Sequence, residues 1–182
     1  MATLSKKVCL VGDFGVGKTS LIRRFVDRQF SDQYLSTVGV KISKKIINLP
    51  ELTLVEDDKF QLMIWDIEGR TDYKPIDVSY LRGSSGAIIV ADSSRMETVD
   101  SLGRHLSMFQ TVNPDGPVVI AFNKSDLADV ATLQKIMNLN NFANEPQIIA
   151  TYSTSAKTGE SVDRMFLELS QSLLLSSSAQ KI

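Results

Sequence analysis

The sequence has a single cysteine in 182 residues. Cys9 cannot form an internal disulfide, so a packed core must hold the fold, and a reducing compartment suits it. No apolar run approaches the roughly 18 residues of a membrane helix. Charge of one sign is also lacking: 20 Lys+Arg stand against 21 Asp+Glu, for a net charge of −1. That balance excludes a strong overall basic field for nucleic acid or an acidic membrane. The start, MATLSKK, has no apolar signal region and no glycine after Met1 for myristoylation. The end, SSSAQKI, has no cysteine to prenylate, so no stable lipid anchor is expected. No internal repeat or linker is visible.

What is present is an ordinary globular composition, 43% hydrophobic and 23% charged. A chain of this length can bury roughly two-thirds of its unfolded surface. Short apolar runs at 7–11, 62–67, 87–91, 118–122 and 148–152 read as buried strands. Amphipathic stretches separate them. Leu21, Ile22 and Phe25 share one helical face, as do Leu102, Leu106 and Phe109, and Val162, Met165, Phe166, Leu169 and Leu173. This alternation predicts an α/β fold with a parallel sheet covered on both faces. The strands at 38–49 and 59–67 have only a loop between them, which predicts one antiparallel pair. That loop carries Glu51, Glu56, Asp57 and Asp58, as a solvated acidic segment or a partner-binding one. A Ser-rich flexible tail is expected at 176–182, after one domain at 1–175.

Gly12-Asp13-Phe14-Gly15-Val16-Gly17-Lys18-Thr19 matches G-x-x-x-x-G-K-[ST], between a strand and a helix that continues at Ser20. Its glycines let backbone N–H groups ring a phosphate at a helix N-terminus. Lys18 supplies a point charge for the β- and γ-phosphates. The Thr19 hydroxyl suits Mg²⁺, a hard ion that takes oxygen ligands. The motif specifies a nucleotide but not which one.

Asn123-Lys124-Ser125-Asp126 closes the apolar run at 118–122, where α/β sheets bind ligands. A carboxylate at Asp126 can accept from both the N1–H and the 2-amino group of guanine. Adenine would present a lone pair to it instead. Ser155-Ala156-Lys157 follows the next strand at the same sheet edge, and the Ala156 N–H can meet guanine O6.

With these motifs in order, the sequence resembles the Ras superfamily of small GTPases, nearest the Rab branch. The resemblance runs from about Lys6 to Leu174. It includes Thr37 within Tyr34-Leu35-Ser36-Thr37-Val38-Gly39, Trp65-Asp66-x-x-Gly69, and the stretch Ser79-Tyr80-Leu81-Arg82-Gly83. It implies a P-loop NTPase small G-domain. The sheet would have six mostly parallel strands with one antiparallel edge strand, flanked by about five helices. It implies GTP or GDP as ligand and Mg²⁺ held by Thr19, Thr37 and Asp66. The Thr37 and Gly69 N–H groups would touch the γ-phosphate. Phe30 would pack across the guanine and Tyr34 would fold over the phosphates, with Lys124 and Lys157 flanking the base. Taken singly, Thr37 reads better as a plain strand residue and Phe30 as a core aromatic. Loops held only while the γ-phosphate is present make an order–disorder switch. Effector and regulatory proteins would bind through those loops. A monomeric, cytoplasmic protein is expected, recruited to membranes, if at all, by partners.

The family usually reads Trp-Asp-Thr-Ala-Gly-Gln where this chain has Trp65-Asp66-Ile67-Glu68-Gly69-Arg70. The usual glutamine orients the attacking water, whereas Arg70 has donors only. Phe14 stands where relatives carry a small residue, and its ring would crowd the γ-phosphate pocket. Three mechanisms stay open. Arg70 and Phe14 leave a very slow GTPase; or Arg70 stabilises phosphate charge in cis while Glu68 or a partner positions water; or Arg70 turns to solvent, Glu68 or an effector and a partner supplies the catalytic group. The competing function is a non-catalytic GTP-binding interaction module, with nucleotide as a structural ligand. An ATP-dependent enzyme would require Asp126 to be incidental.

Overall fold

The apolar segments at 86–92 and 118–123 become the centre of one sheet because both faces of it are covered. The computed structural model describes residues 3–33, 36–47, 59–69, 71, 76–140, 142 and 144–179. Tyr34, Arg70 and the acidic segment at 50–58 lie outside the described residues. The strands are β1 (Thr3–Val11), β2 (Val40–Ile47), β3 (Lys59–Ile67), β4 (Gly86–Asp92), β5 (Val118–Asn123) and β6 (Ile148–Ser153). They lie in the order β2-β3-β1-β4-β5-β6. Among the described residues only the β2–β3 pair is antiparallel, as the sequence predicts, and β2 is an edge strand, as the resemblance implies. The helices are α1 (Lys18–Asp27), α2 (Met96–Asp100), α3 (Leu102–Val112), α4 (Val130–Leu139) and α5 (Val162–Ala179).

Side-chain alternation along β1 divides the core. Val8 and Leu10 point to one face, where Leu21, Ile22 and Phe25 of α1 meet Met165, Phe166 and Leu169 of α5. The Phe25 and Phe166 rings stack at 4.1 Å. Cys9 and Val11 point to the other face, under Leu102, Leu106 and Phe109 of α3. Burial pushes the Cys9 thiol pKa up, against a bond with Ser84 and the charge of Lys7. β1 starts earlier than its apolar run because only Val8–Val11 pairs with β4, while Thr3 to Lys7 pairs with β3 alone. The polar Ser5, Lys6 and Lys7 fall in this stretch paired on one edge alone.

At the other end the last helix runs beyond residue 175. α5 continues through Ala179. Ser176 and Ser177 donate their hydroxyls to Ser172 O and Leu173 O, at 2.9 and 2.8 Å. Serines can be kept in a helix by such bonds to the preceding turn.

Parallel pairing sets the carboxyl ends of β1, β3, β4, β5 and β6 along one edge. Antiparallel β2 starts at that edge, with Val40 opposite Ile67. The phosphate loop, Thr37, Gly69, Asn123 and Ser155 therefore converge, although they are distant in sequence.

Candidate nucleotide site

An open cleft lies along this edge. Phe14, Gly15, Gly17, Lys18, Thr19, Ser20, Phe30, Thr37, Gly69, Asn123, Lys124, Asp126, Ala156 and Lys157 all line it. Gly12, Asp13, Val16, Asp66 and Ser155 stand behind that lining and hold it in place.

The phosphate loop turns into α1 at Gly17, whose φ of 97° is left-handed. A Cβ there would also come within 2.3 Å of Asn123 Nδ2. Lys18 is buried, and its ammonium donates to Gly12 O and Asp13 O at 2.9 Å each. Burial pushes its pKa down to about 8, despite the opposing pull of Asp66 and Asp13. A buried cation hydrogen-bonded to carbonyls is suited to an anionic ligand. The Asp13 carboxylate faces away from the cleft, with Oδ1 2.9 Å from His105 Nε2 of α3.

Beside Lys18, oxygens gather. Thr19 Oγ1 donates to Asp66 Oδ2 at 2.6 Å, Thr37 Oγ1 lies 2.8 Å from Thr19 Oγ1, and Thr37 Oγ1 donates to Asp66 Oδ2 at 3.3 Å. Burial pushes the Asp66 carboxyl up, against the Thr19 bond and the charge of Lys18. Asp66 Oδ1 is buried with no hydrogen-bond partner among the described residues. Buried polar atoms are rarely left so. An all-oxygen set with an orphaned carboxylate oxygen fits a hard divalent cation such as Mg²⁺.

At the far end of the cleft, Asn123 is fully enclosed. Its Nδ2 donates to Val16 O at 2.9 Å, and its Oδ1 accepts from the Ala156 N–H at 3.2 Å. Lys124 then takes a left-handed φ of 62°, which turns Asp126 into the cleft. Ser155 Oγ donates to Asp126 Oδ1 at 2.5 Å and fixes the carboxylate's orientation. The carboxylate and the Ala156 N–H thus lie at one end of the cleft, with Phe30 on its wall.

A model of the Ras family matches residues 7–175 of the chain. The chain belongs to the Ras family. It is 35% identical to the Ras-related protein Rab-1C of Dictyostelium discoideum over 169 residues, 92% of this chain and 80% of that one. It is 33% identical to mouse Ras-related protein Rab-22A over 94% of this chain and 84% of that protein. It is 32% identical to the GTP-binding protein ypt5 of Schizosaccharomyces pombe, over 96% of this chain and 81% of the relative. As a Ras-family member it is a GTP-binding switch and a GTPase.

Several residues of this Ras-family site escaped the sequence reading. Asp92, at the end of β4, is buried and accepts from Lys124 Nζ at 2.7 Å and Arg95 Nε at 3.1 Å. Burial raises the Asp92 pKa, but bonds from Lys124, Ser94 and Arg95 outweigh this and hold it below the usual value. Arg95 also donates to Phe14 O at 2.9 Å. Arg24 of α1 donates to Ala156 O at 2.7 Å and to Lys157 O, which braces the base-side loop. A lone acid closing the apolar run 86–91 was a readable signal for Asp92. Arg24 and His105 gave none, because their partners lie far away in sequence.

Proposed function

We propose that the protein is a GTP-loaded switch that hydrolyses its nucleotide slowly, built on one G-domain spanning 1–175. The carrying observation is the oxygen cluster of Thr19, Thr37 and Asp66 beside the buried Lys18 ammonium. In this reading Lys18 neutralises the β- and γ-phosphates, and the Gly12–Ser20 backbone rings them. The Thr19 and Thr37 hydroxyls and the Asp66 carboxylate would hold Mg²⁺, which would supply positive charge beside the phosphate oxygens. The Gly69 N–H completes the γ-phosphate site. Phe30 covers the guanine, with Tyr34 over the phosphates. Asp126 and Ala156 read the base edge, and Asn123, Lys124, Ser155 and Lys157 support them.

Slow hydrolysis rests on Arg70 and Phe14. Arg70 has no acceptor with which to orient water. Phe14 lines the cleft and is 42% exposed, and in this reading its ring crowds the γ-phosphate pocket. Effector and regulatory proteins bind a monomer through the switch segments. Among the described residues no helix is long and apolar enough to cross a membrane. A cytoplasmic protein that partners bring to membranes follows from this reading.

The test is single-turnover hydrolysis of preloaded GTP with Mg²⁺ and no partner. Ras-type intrinsic rates are on the order of 10⁻⁴ s⁻¹. A rate well below that, raised by Arg70→Gln, is the expected result. A rate at or above it, lowered by Arg70→Gln, would instead make Arg70 a cis-acting catalytic group. No cleavage in either variant would favour the non-catalytic GTP-binding module.

A further inference from the structure

The last rung of the β2–β3 ladder is unusual. Val40 pairs with Ile67 in register, so Gly39 and Glu68 face each other next. In an antiparallel hydrogen-bonded pair the two residues exchange backbone bonds. Here the Glu68 N–H donates to Gly39 O at 2.8 Å. The return bond does not go to the Glu68 carbonyl: the Gly39 N–H donates to the Glu68 side-chain Oε2 at 2.9 Å. Gly39 has a left-handed φ of 70°, a conformation that glycine adopts without strain. The two bonds make a two-point grip, one of them to a charged acceptor.

Gly39 is two residues from Thr37, whose hydroxyl lies 2.8 Å from Thr19 and 3.3 Å from Asp66. We propose that Glu68 is a positioning residue that clamps Gly39 and so holds Thr37 at the metal side of the site without help from the γ-phosphate. This rests on reading 36–39 as the segment that senses the γ-phosphate.

The consequence is thermodynamic. Let the segment exchange between an open form and the closed form seen here. A clamp inside the protein favours closure by the same factor whichever nucleotide is bound. With GTP, closure is already nearly complete, so little changes. With GDP, the closed fraction rises by the whole factor. The clamp therefore reduces the contrast between the two nucleotide states, and the GDP form keeps part of the surface that an effector would recognise.

A carboxylate oxygen can be replaced by the amide oxygen of glutamine, which still accepts from the Gly39 N–H. Alanine leaves that N–H without its acceptor. The test is the closed population of the 36–40 segment, read from its backbone amide NMR signals in the whole chain. Wild type, Glu68→Ala and Glu68→Gln are compared when loaded with GDP, when loaded with a non-hydrolysable GTP analogue, and without nucleotide. The expected result has three parts. Glu68→Ala lowers the closed-to-open ratio at least about tenfold in the GDP and nucleotide-free forms, the effect of one charge-assisted hydrogen bond. The GTP-analogue form stays nearly fully closed. Glu68→Gln restores most of the closed population. Equal closed populations in wild type and Glu68→Ala with GDP bound would overturn the clamp. So would an equal loss of closed population in both loaded forms, because that marks a general loss of structure. Fluorescent GDP and GTP binding, measured on the same samples, reports separately on the nucleotide reading. If neither binds, the nucleotide-free comparison alone decides the clamp, with a fall in the closed population supporting it and no change overturning it.

Discussion

Asn123 Nδ2 donates to the Val16 carbonyl at 2.9 Å, which fastens the base-side motif to the phosphate loop. The same side chain accepts from the Ala156 N–H and from Thr154 Oγ1, at 3.2 and 3.3 Å. One buried amide thus joins the loops that follow β1, β5 and β6. Asn123 itself need not touch the base to govern how tightly the nucleotide is held.

Replacing Asn123 by alanine removes all of these bonds and strands buried groups on each loop. Each stranded group costs about 1–3 kcal/mol. Release of fluorescent GDP from Asn123→Ala should be at least about 100-fold faster than from wild type. An unchanged release rate would show that the loops keep their places without the amide.

Gly69 lies against the backbone of the phosphate loop. A Cβ on it would come within 2.6 Å of Phe14 Cα, 2.7 Å of Phe14 N and 2.8 Å of Asp13 O. These are backbone atoms, so no side-chain rotation relieves the clash. Gly69→Ala should push the segment after β3 away from the loop and lose the proposed γ-phosphate contact. The expected signature is GDP affinity within about threefold of wild type and a GTP-analogue affinity at least about tenfold weaker, a difference of one charge-assisted bond. Equal weakening for both nucleotides would mean that Gly69 supports the loop itself.

The parts of this fold legible in the sequence are those with a local cause. β4 and β5 are buried on both faces and read as unbroken apolar runs. The phosphate loop carries its glycines and Lys18 within one short segment. Phe30 is legible only through resemblance, since nothing local distinguishes a ring on a cleft wall from one in the core. The supporting pairs Arg24 with Ala156, His105 with Asp13, and Glu68 with Gly39 were not legible. Each joins segments whose nearness depends on strand order, and a single sequence does not encode which loops meet. The helical end of α5 was missed because serine is a weak helix former, and its bonds to the preceding turn are invisible until the helix is built.

On the proposed reading, base choice depends on Ser155 as well as on Asp126. Ser155 Oγ donates to Asp126 Oδ1 at 2.5 Å, which aims the carboxylate. Asp126→Asn replaces one acceptor with a donor and should shift preference away from guanine, because the amide would meet a guanine N–H with its own. Ser155→Ala leaves the charge in place but frees its orientation. GDP affinity in Ser155→Ala should fall about tenfold, as for loss of one bond to a charged group, with guanine still preferred over adenine. Competition by GDP, ADP and xanthosine diphosphate measures both variants. An Asp126→Asn protein with unchanged preference would remove Asp126 from base reading.

Asp92 ties the base-side Lys124 to Arg95, which in turn holds the Phe14 carbonyl. Its side chain is 1% exposed, while those of Lys124 and Arg95 are 34% and 38% exposed. The cations therefore keep part of their hydration, and losing the carboxylate should cost less than breaking a fully buried pair. Asp92→Ala should lower unfolding stability by about 1–3 kcal/mol near neutral pH, the range for stranding buried hydrogen-bonding groups. The folded pKa of Asp92 is depressed, so the unfolded chain takes up its proton first as the pH drops. Its stabilising contribution is complete above the unfolded value of about 3.9 and is lost as pH falls through the folded value. Urea unfolding of nucleotide-free wild type and Asp92→Ala at pH 6 and pH 3 reads this directly. The gap between the two proteins should narrow at pH 3. A gap of the same size at both values would mean that Asp92 acts through packing and not through its charge.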